Sequence, residues 1–200
     1  MPASRAIGAA VLAFASASPG AELTTGIDEQ AGLPYWQIAD RGMSLRLVQR
    51  FPDQTRAFFL ARGLGREQVD RVAQSCVFQT VFKNVSDQTD PSPLTYDLNH
   101  WEVRHAGHSS GMLTREHWQR IWESEQLDRG AAVAFEWALF PTVQRYEPGD
   151  YNWGMSIFGL PPGAEFDLKV AWRQYDRAQE ALIEDVRCAP DTEPEISGGP

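Results

Sequence analysis

Phe166-Asp167-Leu168-Lys169-Val170-Ala171-Trp172-Arg173 alternates large apolar side chains with mostly polar ones, without a break. A period of two fits a strand, whose successive side chains point to opposite faces, and not a helix of period 3.6. One face of such a strand lies on a core and the other meets water, as in antiparallel sheets. Val133, Phe135, Trp137 and Leu139 repeat the pattern and predict a second strand, with Trp137 on the core side.

Further strands are expected around these two. Cys76 to Val85 is apolar on both parities at Val77, Phe78, Val81 and Phe82, which predicts a central strand. Leu94 to Leu98 running on to His105, Tyr151 to Phe158 and Glu180 to Cys188 read as others. Ser44 to Phe51 and Thr55 to Arg62 are read as a hairpin about Pro52-Asp53, because Pro then Asp suits the middle of a type I turn. A short helix over Asp53 to Arg62 is the rival reading. Pro148-Gly149-Asp150 and Pro161-Pro162-Gly163 are turn signals at sandwich spacing.

Two helices interrupt the strands. Thr114 is a good N-cap, Trp118, Ile121 and Trp122 form an i, i+3, i+4 stripe, and a helix is expected from Thr114 to Asp128. Arg66 to Gln74 is a shorter one with Val69, Val72 and Ala73 inward. The fold class is therefore mainly β, an antiparallel β-sandwich with one or two inserted short helices.

The ends of the chain set its address. Residues 1–21 read as an export signal: Arg5, an apolar run from Ala6 to Ala17, and the small-x-small pattern Ala15-Ser16-Ala17 where a signal peptidase cuts. That run is too short to span a bilayer as a stable helix. Residues 22–42 read as an N-terminal extension, 43–188 as the β-sandwich domain, and 189–200 as an acidic, disordered tail. The expected location is periplasmic or secreted, with no membrane span. Cys76 and Cys188 are the two cysteines, and in an oxidising compartment they are expected to pair. Neither follows the apolar run closely, so no lipid anchor is expected. The net charge of −9 argues against nucleic acid as a partner.

A resemblance bears on the fold. Lys83-Asn84-Val85-Ser86-Asp87, then Tyr96-Asp97-Leu98, then Trp101-x-Val103 resembles the front of telokin-like, immunoglobulin-like modules of secreted bacterial proteins. Pro148-Gly149-Asp150, Gly154-x-x-x-Phe158, Leu160-Pro161 and Leu168-x-Val170-x-Trp172 are similar to their closing half. The resemblance covers about residues 76–175 and implies an immunoglobulin-like sandwich. Its members include adhesive, inhibitory and assembly-accessory proteins, so it implies fold more than function.

Three chemistries compete. Asp150, Tyr151, Asn152 and Trp153 form a polar, aromatic turn, the kind of patch that holds another protein or a sugar through amphipathic rings. His100, His105, His108 and His117, with Met112 between, suit copper or zinc through imidazole and thioether, with His105, His108, Met112 and His117 as the expected ligands. Gly107-His108-Ser109-Ser110-Gly111 fits the G-x-S-x-G of serine hydrolases, but the elbow needs a strand–turn–helix and a later, separate histidine. The expected function is thus a non-enzymatic binding or accessory protein, with no cofactor, whose partner is another extracytoplasmic protein. A copper or zinc handler is the alternative.

Overall fold

The computed structural model describes residues 20–86 and 91–191. Most of the expected export signal (1–19) and the last nine residues of the expected tail (192–200) lie outside the described residues. In chain order the strands are β1 (Glu22–Ile27), β2 (Pro34–Asp40), β3 (Met43–Gln49), β4 (Val77–Asn84), β5 (Leu94–Asp97) and β6 (Glu102–His105). They continue with β7 (His108–Ser110), β8 (Val143–Tyr146), β9 (Tyr151–Ile157), β10 (Glu165–Gln174) and β11 (Arg177–Arg187). The helices are α1 (Pro52–Leu60), α2 (Arg66–Ala73), α3 (Arg115–Ser124) and α4 (Arg129–Ala138).

The strands make two antiparallel sheets, so the protein is mainly β and sandwich-like. The first runs β1-β2-β3-β4-β9, and residues 22–42 supply two of its strands. The second is organised by β10, whose alternation places Phe166, Leu168, Val170 and Trp172 in the core. β11 pairs with β10 along its length, while β6 and β5 pair with successive parts of β10. β7 and β8 extend the sheet beyond β6 and β5 respectively.

The run from Leu94 to His105, expected as one strand, is broken by a 3-10 turn at Leu98–His100. Tyr96 lies opposite Trp172, yet Glu102 lies opposite Lys169, so the turn adds three residues to the register. An odd insertion reverses parity. Tyr96 and Leu98 face the core before it, and Trp101 and Val103 after it. Between the sheets, Phe82 stacks on Tyr146 at 5.1 Å and tilts onto Tyr96 at 4.9 Å, while Phe78 meets Phe166 at 6.2 Å.

The helices form a layer outside the first sheet. Phe59, Val69, Val72, Trp118, Trp122 and Phe135 pack with Val77, Met155 and Ile157, the outward residues of β4 and β9. Trp118 and Trp122 therefore bind their helix to the sheet, and their rings stack at 5.1 Å.

Three expectations are corrected here. Residues 133–139 are not a strand. α4 buries Ala131 and Phe135, one turn apart, and Leu139 is buried just past its end. Asp128 caps this helix by accepting from the Ala131 N–H at 3.0 Å. Trp137 is consequently outside the core and 82% exposed. Thr55 to Arg62 belongs to a helix and its end, as in the rival reading: Pro52 occupies the first turn, and the Gln54 side chain accepts from the Phe51 N–H at 3.3 Å. The described residues carry four α-helices, more than the one or two expected.

Cys76 and Cys188 form the expected disulfide, with Cα atoms 5.3 Å apart and 112 residues between them in sequence. It joins the start of β4, just after α2, to the residue following β11.

Candidate functional site

The outer face of the first sheet is only partly covered. Pairing places its outward side chains in cross-strand rows. Gln37, Arg46, Val81 and Trp153 form one row, and Tyr35, Val48, Gln79 and Met155 the next. Ala39, Ser44, Lys83 and Tyr151 form a third. The helical layer takes the β4–β9 end at Val77, Met155 and Ile157, and the rest stays open as a groove of about 740 Å³. Strands β2, β3, β4 and β9 put no carboxylate on this face.

Cations occupy it instead. The Arg46 guanidinium lies 3.8 Å from the Tyr35 ring centroid and donates to Asp28 at 2.8 Å. Tyr35 can lie flat over β1 because Gly26 opposite it has no side chain; a Cβ there would come within 3.0 Å of the ring. The Ala31 N–H, with help from Arg46 and the Gln30 N–H, holds the Asp28 carboxyl below its usual range. Arg50, just past β3, donates to the Gln79 side chain. Burial pushes the Arg50 pKa down. The Nε atoms of Arg46 and Arg50 are both buried without a hydrogen-bond partner. Lys83 sits 5.7 Å from the Tyr151 ring centroid.

The groove continues along the surface. Arg50 and Gln79 also line a smaller cavity with Phe58, Trp153 and Met155. Trp153 in turn borders an open groove of about 630 Å³ with Trp137, Pro141, Val143 and Asn152. The result is a trench running from the β1–β2 turn across the sheet to two exposed indoles.

The expected aromatic turn falls on this trench. Tyr151 and Trp153 point outward from β9 and are 64% and 60% exposed. Asn152 borders the trench, and its side-chain oxygen accepts from the Trp153 N–H at 2.8 Å. Asp150 acts in the backbone of the turn, where its carboxylate accepts from the Glu147 N–H at 2.9 Å and closes the chain before β9.

The histidines are scattered by comparison. His105 and His108 face each other across the β6–β7 hairpin, and the His105 ring hydrogen-bonds the Glu165 carbonyl at 2.7 Å. His100 lies on the 3-10 turn, 3.9 Å from Asp97. Met112 is buried in the inter-sheet core. His117 lies on α3 edge-on to Trp118 at 5.6 Å, and burial first, then Arg120, lowers its pKa. Among the described residues no three His, Cys, Asp or Glu side chains gather to hold a metal ion. Ser109 is on β7, where its hydroxyl donates to Glu102 at 2.5 Å. Hydrogen bonds from Arg104, then from Ser109, hold Glu102 down at about 2. The G-x-S-x-G run thus spans a hairpin turn and a short strand, without the strand–turn–helix of an elbow.

Sequence patterns alone do not single out Arg46, Arg50, Gln79 or Tyr35. Alternation of Leu45 and Leu47 with Arg46 and Val48 puts Arg46 outward, and that is the signal available. Nothing local says that the helices leave this half of the sheet bare.

The chain matches no protein-family model and no curated protein. No helix among the described residues is long and apolar enough to cross a membrane.

Proposed function

We propose that this is an exported, non-enzymatic binding or accessory protein that engages another extracytoplasmic protein through the indoles at the end of the trench. The observation that carries this reading is Trp137 at 82% and Trp153 at 60% exposure, bordering one groove with Val143 and Pro141. Two indoles left in water contribute little to folding, and large aromatic side chains are what protein interfaces are enriched in. The disulfide, together with the export-signal reading of residues 1–21, supports a periplasmic or secreted site of action. The immunoglobulin-like topology belongs to the same proposal. It is supported by β4 ending at Asn84 and β5 carrying Tyr96 and Asp97, the order in which the telokin-like modules place them.

The test is site-specific photo-cross-linking from position 143 in the native compartment. A defined adduct that disappears in both Trp137→Ala and Trp153→Ala supports the proposal. The same adduct in both variants, or none, overturns it.

A second reading, a copper or zinc handler, rests on the facing of His105 and His108 across their hairpin. Copper and zinc titration of the wild type against His105→Ala and His108→Ala tests it. Tight, near-stoichiometric binding lost in both variants would favour it over the protein-binding reading.

A further inference from the structure

We infer that the open half of the first sheet's outer face is a binding site for a carboxylate-bearing oligosaccharide. In a chain of net charge −9, Arg46, Arg50 and Lys83 lie on one face, to which β2, β3, β4 and β9 add no carboxylate and β1 adds Glu22 at the outer edge, in the row of Ala39, Ser44 and Lys83. Asp28 and Glu29 stand at its rim on the β1–β2 turn, and Asp28 is taken by Arg46. Among the described residues Arg50 and Lys83 form no ion pair. An anionic ligand would give a direct partner to the half-buried Arg50 guanidinium, which feels the charge of Asp28 without pairing with it and whose Nε has no hydrogen-bond partner. Its planar fork suits a carboxylate.

The rest of the lining chooses the kind of anion. Gln37, Gln79 and Ser44, one from each of the three rows, supply both hydrogen-bond donors and acceptors, as a polyhydroxylated ligand requires. Along one side, β9 presents Tyr151 and Trp153, two residues apart on one face and so about 7 Å apart. These rings offer stacking platforms next to Lys83 and Arg50. Val48, Val81, Ala31, Ile27 and the Tyr35 ring are the apolar part of the lining, and this open groove is not a deep apolar pocket of the kind that anchors a peptide hot spot. A groove of about 740 Å³ is of the size that takes a small ligand. Charge calls for an acid, and the lining calls for a sugar.

This site shares Trp153 with the protein-binding reading, but Lys83 and Arg50 take no part in that reading, so their variants test this proposal apart from it. The experiment is calorimetric titration of the full chain with tetragalacturonic acid, with neutral maltotetraose and a short polyglutamate peptide alongside. Binding of the uronate that weakens at least tenfold in Lys83→Ala and in Arg50→Gln, with the neutral sugar and the peptide both weaker, is the expected result. Lys83 is exposed, so Lys83→Ala keeps the test valid should Arg50→Gln unfold. Absence of uronate binding, or unchanged affinity in Lys83→Ala, overturns the proposal. Polyglutamate binding as tightly as the uronate overturns it too, and makes the face a docking strip for acidic protein.

Discussion

Arg56 holds Asp191 by two parallel hydrogen bonds, at 2.9 and 2.8 Å, three residues beyond the disulfide at Cys188. The same guanidinium reaches Asp70 at 2.6 Å and Asp53 at 2.9 Å, and Gln74 also donates to Asp191. The segment 188–191 past β11 is thus tied to α1 and α2 by an ionic clasp, next to the covalent one.

That clasp makes stability depend on pH. Hydrogen bonds from Arg56 come first among the causes that lower the Asp191 pKa from its ordinary value. A carboxyl with a lowered folded-state pKa contributes stability above its unfolded pKa of about 3.9, and that contribution is lost as pH falls through the folded value. Arg56→Ala is expected to cost about 1 kcal/mol at neutral pH, because the pairs are partly solvated. The gap between wild type and variant in urea unfolding should close towards about pH 2–3. A gap that persists in acid would show that packing of the Arg56 stem, not charge, is responsible.

The disulfide is worth more. Closing a loop of 112 residues restricts the unfolded chain strongly, and removing such a bridge costs about 2–5 kcal/mol. Cys76→Ser with Cys188→Ser should lower the urea midpoint accordingly. Wild type under strong reductant should fall to the same midpoint.

The tryptophans divide by position. Trp118 is buried among Trp122 and Phe135, and Trp118→Ala is expected to cost about 3–5 kcal/mol. Trp137→Ala should change stability by no more than about 0.5 kcal/mol. Equilibrium unfolding checks both, and the second result is also the control that the cross-linking experiment needs.

Gly154 is a packing device on β9. A Cβ there would lie 2.6 Å from the Phe140 backbone nitrogen, whose N–H donates to the Met155 carbonyl at 2.9 Å. Gly154→Ala should destabilise by about 1–3 kcal/mol, because a rigid backbone cannot step aside. A neutral outcome in thermal unfolding would mean that the 139–141 segment yields.

Much of the fold is legible in the sequence because its signals are local. β10 announces itself by unbroken alternation, β4 by apolar residues on both faces, and α3 by its Trp stripe. α4 reads wrongly as a strand because Val133, Phe135, Trp137 and Leu139 alternate by coincidence. The four-residue spacing of Ala131, Phe135 and Leu139 and the Ala-rich composition carry the helical signal. Pro52-Asp53 serves a turn and a helix start equally well, so only tertiary packing of Phe59 decides. The Asp150–Trp153 turn is visible because rings and polar groups are adjacent in sequence. The cationic face is not, since β2, β3, β4 and β9 bring it together from more than a hundred residues of chain, two of them separated by the helices that leave it bare.

The central place of β10 has a consequence for biosynthesis. β5, β6 and β11 all pair with residues 165–174, and these leave the ribosome only after β1 to β9 have done so. Until then β5 and β6 have unpaired edges, and half of the aromatic core has no second wall. A chain interrupted before Glu165 should therefore be an aggregation-prone fragment with one sheet, and the second sheet can only assemble once β10 has been made.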